Sequence, residues 1–150
     1  MKLLIVEDDD YKLESIRSFV LASLGDVSIF TSVSLKDALE AINNSTFDLI
    51  FVDMAIPSHP PTTGQGTPVS FNTGGLDIIM KLSAIGRTDP CVIITQYPDI
   101  EISGEYIPLN EVVDRIPELL ECEVAACIFY DEGSDSWKSE LKTVFGELFK

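Results

Sequence analysis

The chain has 150 residues and a formal net charge of −15, with 25 acidic residues against 10 lysines and arginines. This length suits one domain with a buried core, and the negative charge disfavours nucleic acids and anionic membranes as partners. The sequence turns acidic at Glu7, too early for a secretory signal, and no apolar run approaches the ~20 residues that span a bilayer. The cysteines lie in or beside apolar runs, which predicts buried thiols in a reducing compartment, at Cys91, Cys122 and Cys127. We therefore expect a soluble, cytoplasmic protein.

Short apolar segments alternate with amphipathic ones along the chain. The apolar segments resemble buried strands and lie at residues 2–6, 27–31, 47–53, 91–95 and 125–130. Helices are predicted from apolar residues at helical spacing over about residues 13–24, 35–42, 76–85, 109–120 and 137–148. Gly25 is expected to end the first helix, and Ser34 with Asp37 gives a capping-box-like start to the second. Pro117 is expected to kink or split the fourth helix, and Trp137 to lie in the core.

This alternation predicts a doubly wound, five-stranded parallel sheet with helices on both faces. In a sheet of order 2-1-3-4-5, the first and third strands are central neighbours, and ligands bind there at the carboxyl ends of the strands. We expect a single domain over residues 1–150.

Residues 54–75 interrupt the alternation. The segment is rich in proline and glycine and shows no helical or strand period, so it predicts a long inserted loop. In compact domains such a loop is a disordered insertion, a lid or a docking surface. It contains His59, which we expect to be solvated. Residues 97–108 predict a second irregular stretch.

Acidic residues follow two of the predicted strands. Glu7 and Asp8 follow the first strand, Asp53 ends the third, and Thr95 ends the fourth. Carboxylates that converge on one sheet edge repel each other unless a cation neutralises them. Oxygen ligands with open positions suit Mg²⁺, and a carboxylate beside Mg²⁺ can accept a phosphoryl group. The two aspartates after Asp8 are expected to cap the first helix and to lie in its first turn.

Three motifs carry a resemblance to a known family. They are Leu3-Leu-Ile-Val-Glu-Asp-Asp9, Phe47-Asp-Leu-Ile-Phe-Val-Asp-Met54 with Pro57, and Val92-Ile-Ile-Thr95. Together they resemble the receiver domain of two-component response regulators, and the resemblance covers essentially the whole chain in element order. It implies a flavodoxin-like (CheY-like) fold. It also implies a phosphoacceptor in two-component signal transduction, which is not an enzyme beyond its own phosphorylation and dephosphorylation.

The resemblance also implies roles for individual residues and partners. Asp53 would accept the phosphoryl group and bind Mg²⁺, Asp8 would bind Mg²⁺ directly, and Glu7 would bind it mostly through water. The main-chain carbonyl of Ala55 would complete the protein ligands, and Thr95 would be the switch hydroxyl. A histidine kinase or phosphotransfer protein would be the phosphodonor. An output protein or domain would bind the face formed by helix four, strand five and helix five, or the inserted loop.

The fifth strand departs from the family pattern. Receiver domains end this strand with Lys-Pro, and the Lys ammonium pairs with the phosphoryl group, but this chain has Tyr130 and Asp131 there. Cys127 stands where a switch aromatic is usual. A phenol carries no positive charge, and loss of one preorganised donor can slow a reaction by ~10²–10³. We therefore expect phosphorylation to be impaired or to need help.

Two functions remain open from the sequence. The first is a phosphorylation-dependent switch with Asp53 as acceptor, which the retained acids and Thr95 favour. The second is a phosphorylation-independent pseudo-receiver that acts as a protein-interaction module, which the missing lysine and the insertions favour. We prefer the first, because clustered acids are costly without a use. A flavin-binding relative is less compatible, since the loop after strand one is acidic where a flavin phosphate needs a Ser/Thr/Gly-rich cradle.

Overall fold

A computed structural model of the chain describes residues 1–58, 70–71 and 74–150. The strands are β1 (Lys2–Val6), β2 (Ser28–Ser32), β3 (Leu49–Val52), β4 (Ile56–Pro57), β5 (Ser70–Phe71), β6 (Cys91–Thr95), β7 (Asp99–Ile102), β8 (Glu105–Pro108) and β9 (Ala126–Phe129). The helices are α1 (Asp10–Leu24), α2 (Leu35–Asn44), α3 (Gly74–Ala84), α4 (Leu109–Leu120) and α5 (Ser136–Leu148). None of the helices in these ranges is both long and apolar enough to cross a membrane.

The main sheet has five parallel strands in the order β2-β1-β3-β6-β9. This order confirms the predicted doubly wound, flavodoxin-like sheet, in which the first and third strands are central neighbours. Val6 pairs with Val52, and Val52 pairs with Ile93. The carboxyl ends of the three central strands therefore lie at one edge of the sheet.

Two apolar layers cover the sheet. One joins the sheet to α2, α3 and α4 and includes Ile42, Ile78 and Ile116. The other joins it to α1 and α5 and includes Ile16 and Trp137, which confirms that Trp137 is a core residue. The layers follow from the sequence pattern, because the central strands are apolar on both faces and each helix has one apolar stripe.

The helix ends agree with the predicted caps. Asp9 is the N-cap of α1 and its carboxylate accepts a 2.9 Å hydrogen bond from the Lys12 backbone N–H. Ser34 caps α2 by accepting a 3.1 Å bond from the Asp37 backbone N–H. Gly25 follows α1 with a φ of 75°, a left-handed conformation that favours glycine. Helix α4 continues through Pro117, so this proline does not split the helix, and the alternative of a kink there stays a prediction.

The prediction of an irregular stretch at 97–108 is wrong. Strands β7 and β8 form an antiparallel hairpin that turns at Ser103 and Gly104, both with positive φ. The buried side chains of the hairpin alternate with exposed ones, as in a strand that covers a core with one face, at Ile100, Ile102 and Ile107. Only a few residues carry this period in the sequence, too few to reveal the strands.

The prediction of a loop over residues 54–75 is wrong where the described residues form β4 and β5 and where Gly74 and Gly75 begin α3. Residues 59–69 and 72–73 lie outside the described ranges. β4 pairs antiparallel with β5, so Ile56 lies opposite Phe71 and Pro57 lies opposite Ser70. Strands of two residues are too short to leave a period in the sequence. His59 belongs to the part of the segment outside the described ranges.

The cysteines agree in part with the expectation of buried thiols. Cys91 and Cys122 are buried, Cys127 is half-buried, and all three are free. Burial raises the pKa of the Cys91 and Cys127 thiols to about 12. These thiols are therefore protonated and unreactive near neutral pH.

Candidate functional site

The candidate site lies where β1, β3 and β6 end. Glu7 follows β1 directly and its N–H donates a 3.0 Å hydrogen bond to the carbonyl of Ser32 at the end of β2. Asp53 follows β3 directly and its N–H donates a 3.1 Å bond to the carbonyl of Val6. Thr95 is the last residue of β6. The sheet itself thus fixes the backbone positions of the acids.

The acids predicted from the sequence converge at this edge. Glu7, Asp8 and Asp53 each offer a carboxylate oxygen, and these oxygens lie within 4.8 Å of one another. Glu7 and Asp53 are buried, whereas Asp8 is exposed. Carboxylate oxygens in such a group suit a hard divalent cation, and the exposed Asp8 leaves one side of the group open to solvent.

A basic residue that we did not predict also lies in this group. Lys12 belongs to the first turn of α1, and its side chain is 1% exposed. Its ammonium nitrogen lies 2.6 Å from Glu7 Oε2 and 3.1 Å from Asp53 Oδ1, and it donates a 2.8 Å hydrogen bond to the carbonyl of Ile94. When all of these groups are ionised, the three carboxylates and the ammonium keep two negative charges in excess, which a divalent cation would neutralise.

The position of Lys12 in the sequence contains a signal of its burial, which is its helical spacing to apolar residues. It lies four residues before Ile16 and eight before Val20, on the stripe of α1 that packs into the core. A lysine on an apolar stripe is usually interpreted as a boundary residue whose charged end reaches solvent. Here the ammonium is instead enclosed, because the stripe ends at the acidic edge of the sheet.

Burial and charge set the proton affinity of the two buried acids. Burial raises the pKa of Glu7 to about 7, with a contribution from the nearby Asp53 carboxylate, although the Lys12 ammonium acts in the opposite direction. Burial likewise raises the pKa of Asp53 above its usual value, against the opposing effects of Lys12 and of a hydrogen bond from the Met54 backbone. Both carboxylates are therefore held in an environment that disfavours their own negative charge.

Two other predicted site residues lie at the ends of the same central strands. Thr95 is fully buried, and its hydroxyl accepts a 3.2 Å hydrogen bond from the Tyr97 N–H. Ala55, two residues after Asp53, is half-buried, and the role of its carbonyl as a metal ligand stays a prediction.

Tyr130 directly follows β9, the fifth strand of the sheet predicted from the sequence, at the position that the resemblance assigns to a lysine. It is buried, and its N–H donates a 2.7 Å hydrogen bond to the carbonyl of Thr95. The centre of its ring lies 5.7 Å from the Lys12 ammonium and 5.1 Å from the Trp137 ring. The next residue, Asp131, is exposed and accepts a hydrogen bond from a nearby backbone N–H.

Glycine at position 75 allows α3 to approach the end of β3. A Cβ atom at Gly75 would lie 2.6 Å from the carbonyl oxygen of Asp53 and 2.8 Å from Val52 Cγ1. The Gly75 N–H donates a 3.2 Å hydrogen bond to the carbonyl of Met54. This close packing of α3 fixes the position of the backbone at Asp53.

Comparisons with known proteins agree with this architecture. The chain is 34% identical over 143 residues to the Detocs response regulatory protein DtcB of Vibrio alginolyticus, with 92% of this chain and 95% of that protein covered. The chain belongs to the response regulator receiver family. A scan against models of protein families finds no match to it.

Solved receiver structures share the fold at lower identity. The CheY-like receiver domain protein of Methanospirillum hungatei JF-1 superposes with a TM-score of 0.63 at 18% identity, covering 98% of this chain and 92% of that one. The phosphorylated cyanobacterial phytochrome response regulator RcpA superposes with a TM-score of 0.66 at 16% identity, covering 99% and 94%. Within this receiver family, the chain combines a strand-five tyrosine with a buried lysine on α1.

Proposed function

We propose that this receiver protein is a phosphorylation-dependent signalling switch in which Asp53 accepts a phosphoryl group with the help of Mg²⁺. The observation that supports this proposal is the convergence of three carboxylates, Glu7, Asp8 and Asp53, within 4.8 Å at the carboxyl edge of the sheet. A histidine kinase or phosphotransfer protein would be the donor. Phosphorylation would change the affinity for an output protein that contacts the α4-β9-α5 face or the segment at 54–75.

The transfer is a displacement at phosphorus with the attacking and leaving atoms roughly in line. A carboxylate oxygen of Asp53 attacks the phosphorus of the donor, the bond from phosphorus to the leaving group breaks, and the leaving group departs with the electron pair. Glu7, Asp8, Asp53 and the carbonyl of Ala55 would hold Mg²⁺. When bound, Mg²⁺ neutralises charge on the transferring group and orients it. The Thr95 hydroxyl can reorient from its bond with Tyr97 and donate to a phosphoryl oxygen.

The comparisons support the same proposal at the level of the family. The relative in Vibrio alginolyticus is named as a response regulatory protein, and the RcpA structure is that of a phosphorylated response regulator. We infer that this chain is phosphorylated from two things together: its similarity to these proteins and its own acid cluster.

One feature favours a second function, a pseudo-receiver that binds partners without phosphorylation. Tyr130 carries no positive charge at the position of the family lysine, and Asp53 already has an ionic partner in Lys12. In this alternative, Lys12 neutralises the cluster permanently and the domain acts as a constitutive interaction module.

Intact-mass spectrometry distinguishes the two functions. The parent is incubated with acetyl phosphate and Mg²⁺, next to Asp53→Asn and to Asp26→Asn, which removes an exposed carboxylate elsewhere. We expect the parent and Asp26→Asn to gain the mass of one phosphoryl group, which neutral hydroxylamine then removes because the product is an acyl phosphate. Asp53→Asn should gain none.

The opposite results are equally informative. A mass gain that persists in Asp53→Asn would place the acceptor at another residue. A parent that gains no mass, from acetyl phosphate or from a histidine kinase that phosphorylates a control receiver, would favour the interaction module.

A further inference from the structure

The feature that the proposed function does not use is the buried lysine of α1. The Lys12 side chain is 1% exposed and points its three N–H donors into a space bounded by Glu7, Asp53 and the carbonyl of Ile94. Its nitrogen is 3.1 Å from Asp53 Oδ1, the side chain that would carry the phosphoryl group. Among charged contacts, this is the nearest that the described residues provide to the acceptor.

A purely structural role does not explain a lysine at this position. Lys12 continues the apolar stripe formed by Ile16 and Val20, where an apolar side chain would pack without the desolvation that an ammonium suffers on burial. The ammonium compensates for that desolvation only through the oxygens around the acceptor. The charged groups at the edge of the sheet therefore explain the lysine at this position, and the packing of the helix does not.

Tyr130 shows that the lysine and the strand-five position share one space. The tyrosine backbone bonds to Thr95, and its ring centre lies 5.7 Å from the Lys12 ammonium. The Tyr130 side chain, which follows β9, and the Lys12 side chain, from α1, thus approach each other, and the Lys12 ammonium also contacts Asp53. The aromatic ring fills the position that follows β9 and provides an electron-rich surface near the cation.

We propose that Lys12, from helix α1, supplies the cationic contact to the phosphoryl group on Asp53 that receiver domains otherwise take from the lysine at the end of strand five. The inference rests on the proposed phosphoacceptor function and adds a residue to it. A carboxylate oxygen of Asp53 forms the bond to phosphorus. The bond that breaks joins phosphorus to an oxygen in acetyl phosphate or to a ring nitrogen in phosphohistidine, and acetate or the histidine side chain leaves with the electron pair. Lys12 keeps its proton throughout and moves from the Asp53 carboxylate to a phosphoryl oxygen.

The test compares labelling rates of matched lysine variants. Lys12→Met removes the ammonium and keeps an unbranched side chain suited to the stripe, whereas Lys142→Met makes the same change at an exposed position of α5. We expect Lys12→Met to be labelled by acetyl phosphate ~10²–10³ times more slowly than the parent, as for loss of one preorganised donor. Lys142→Met should be labelled at the parental rate.

A rescue variant separates charge from structure. Lys12→Met combined with Tyr130→Lys returns a lysine to the end of β9. We expect this double variant to be labelled about ten-fold or more faster than Lys12→Met alone, because one donor contact is restored. Binding of beryllofluoride with Mg²⁺, followed by fluorine NMR, provides a second readout that does not depend on bond formation. Lys12→Met should bind beryllofluoride more weakly than the parent. If Lys12→Met melts below the assay temperature, Lys12→Gln replaces it, because it keeps the polar contacts without the charge.

The outcomes separate this inference from the proposed function. Equal labelling of the parent and of the folded Lys12 variant would overturn the role of Lys12 and leave Asp53 as the acceptor. A failure of the double variant to regain rate, although it is folded, would also count against the role. A parent that accepts neither acetyl phosphate nor beryllofluoride would overturn the proposed function, and this inference with it.

Discussion

Glu7 illustrates how a single buried carboxyl couples this site to stability. Its side chain is 1% exposed and one oxygen accepts a 3.0 Å hydrogen bond from the Asp9 N–H, while the other faces Lys12. Burial and the Asp53 carboxylate raise the pKa of Glu7 from 4.5 to about 7 despite the lysine. The folded protein therefore holds a proton at Glu7 more tightly than the unfolded chain does.

This difference predicts a pH dependence for Glu7→Gln. The contribution of Glu7 to the free energy of unfolding is complete below pH 4.5 and is lost as the pH rises to about 7. The glutamine variant does not titrate, so its stability relative to the parent should increase over that interval and level off above it. Urea unfolding at several pH values measures the difference.

Glu40→Gln provides the matched control, since Glu40 is exposed on α2. Its stability relative to the parent should stay nearly constant across the same pH range. A constant difference for Glu7→Gln as well would contradict the raised pKa.

At the residue scale, the sequence predicted the acids of the site but not its cation. Glu7, Asp8 and Asp53 were predictable because each follows an apolar strand, and parallel strands bring their carboxyl ends to one edge. Lys12 was not, because a lysine on the apolar stripe of a helix usually extends its charged end to solvent. The burial of its ammonium depends on how α1 lies over the sheet, which is a tertiary property.

At the scale of elements, the contact between α3 and β3 depends on a glycine, which has no side chain. Gly75 lies in the first turn of α3, and a methyl group there would meet the carbonyl oxygen of Asp53 at 2.6 Å. Backbone atoms cannot move aside as a flexible side chain can. The start of α3 and the end of β3 would have to separate.

Gly75→Ala should therefore destabilise the protein by about 1–3 kcal/mol, as overpacking of a filled interior does. Gly146→Ala is the comparison, because a methyl group there meets no atom within 4 Å and the residue lies inside α5. That change should stabilise the protein by about 0.5–1 kcal/mol through helix propensity. Urea unfolding of both variants checks the opposite signs, and two changes of the same sign would contradict the packing argument.

The elements themselves were predictable to different degrees. The five strands of the main sheet and the five helices have long or strongly apolar patterns, and their order was predicted correctly. The β7-β8 hairpin was missed because only Ile100, Ile102 and Ile107 carry its inward face. The inward face of the hairpin is buried because it packs in the same apolar layer as Val112 and Ile116 of α4. That contact is a tertiary one, which the local sequence does not reveal.

At the scale of the whole molecule, a net charge of −15 opposes the compact state. Salt screens repulsion between exposed charges that lie farther apart than about 8–10 Å at ordinary ionic strength. Two effects of added salt must therefore be separated: general screening over the surface, and specific binding of Mg²⁺ to the folded acid cluster.

The melting temperature in NaCl and in MgCl₂ at equal ionic strength separates these effects. We expect the melting temperature to rise with NaCl because repulsion is screened, and to rise further in MgCl₂ because Mg²⁺ binds the cluster of the folded state. In Asp8→Asn, the extra increase in MgCl₂ should shrink while the response to NaCl remains. Equal melting temperatures of the parent in NaCl and MgCl₂ at every ionic strength would contradict a magnesium site.

The ammonium beside Asp53 comes from a residue of α1, and this affects how receiver sequences should be compared. An alignment compares residues column by column, and in the strand-five column Tyr130 marks this chain as a degenerate receiver. In space, an ammonium nevertheless lies 3.1 Å from Asp53, contributed by a residue five positions after the first acid of the strand-one motif. A classification based on the strand-five column alone overlooks such chains. A search that also asks for a lysine at that spacing, on the buried stripe of the first helix, would find them.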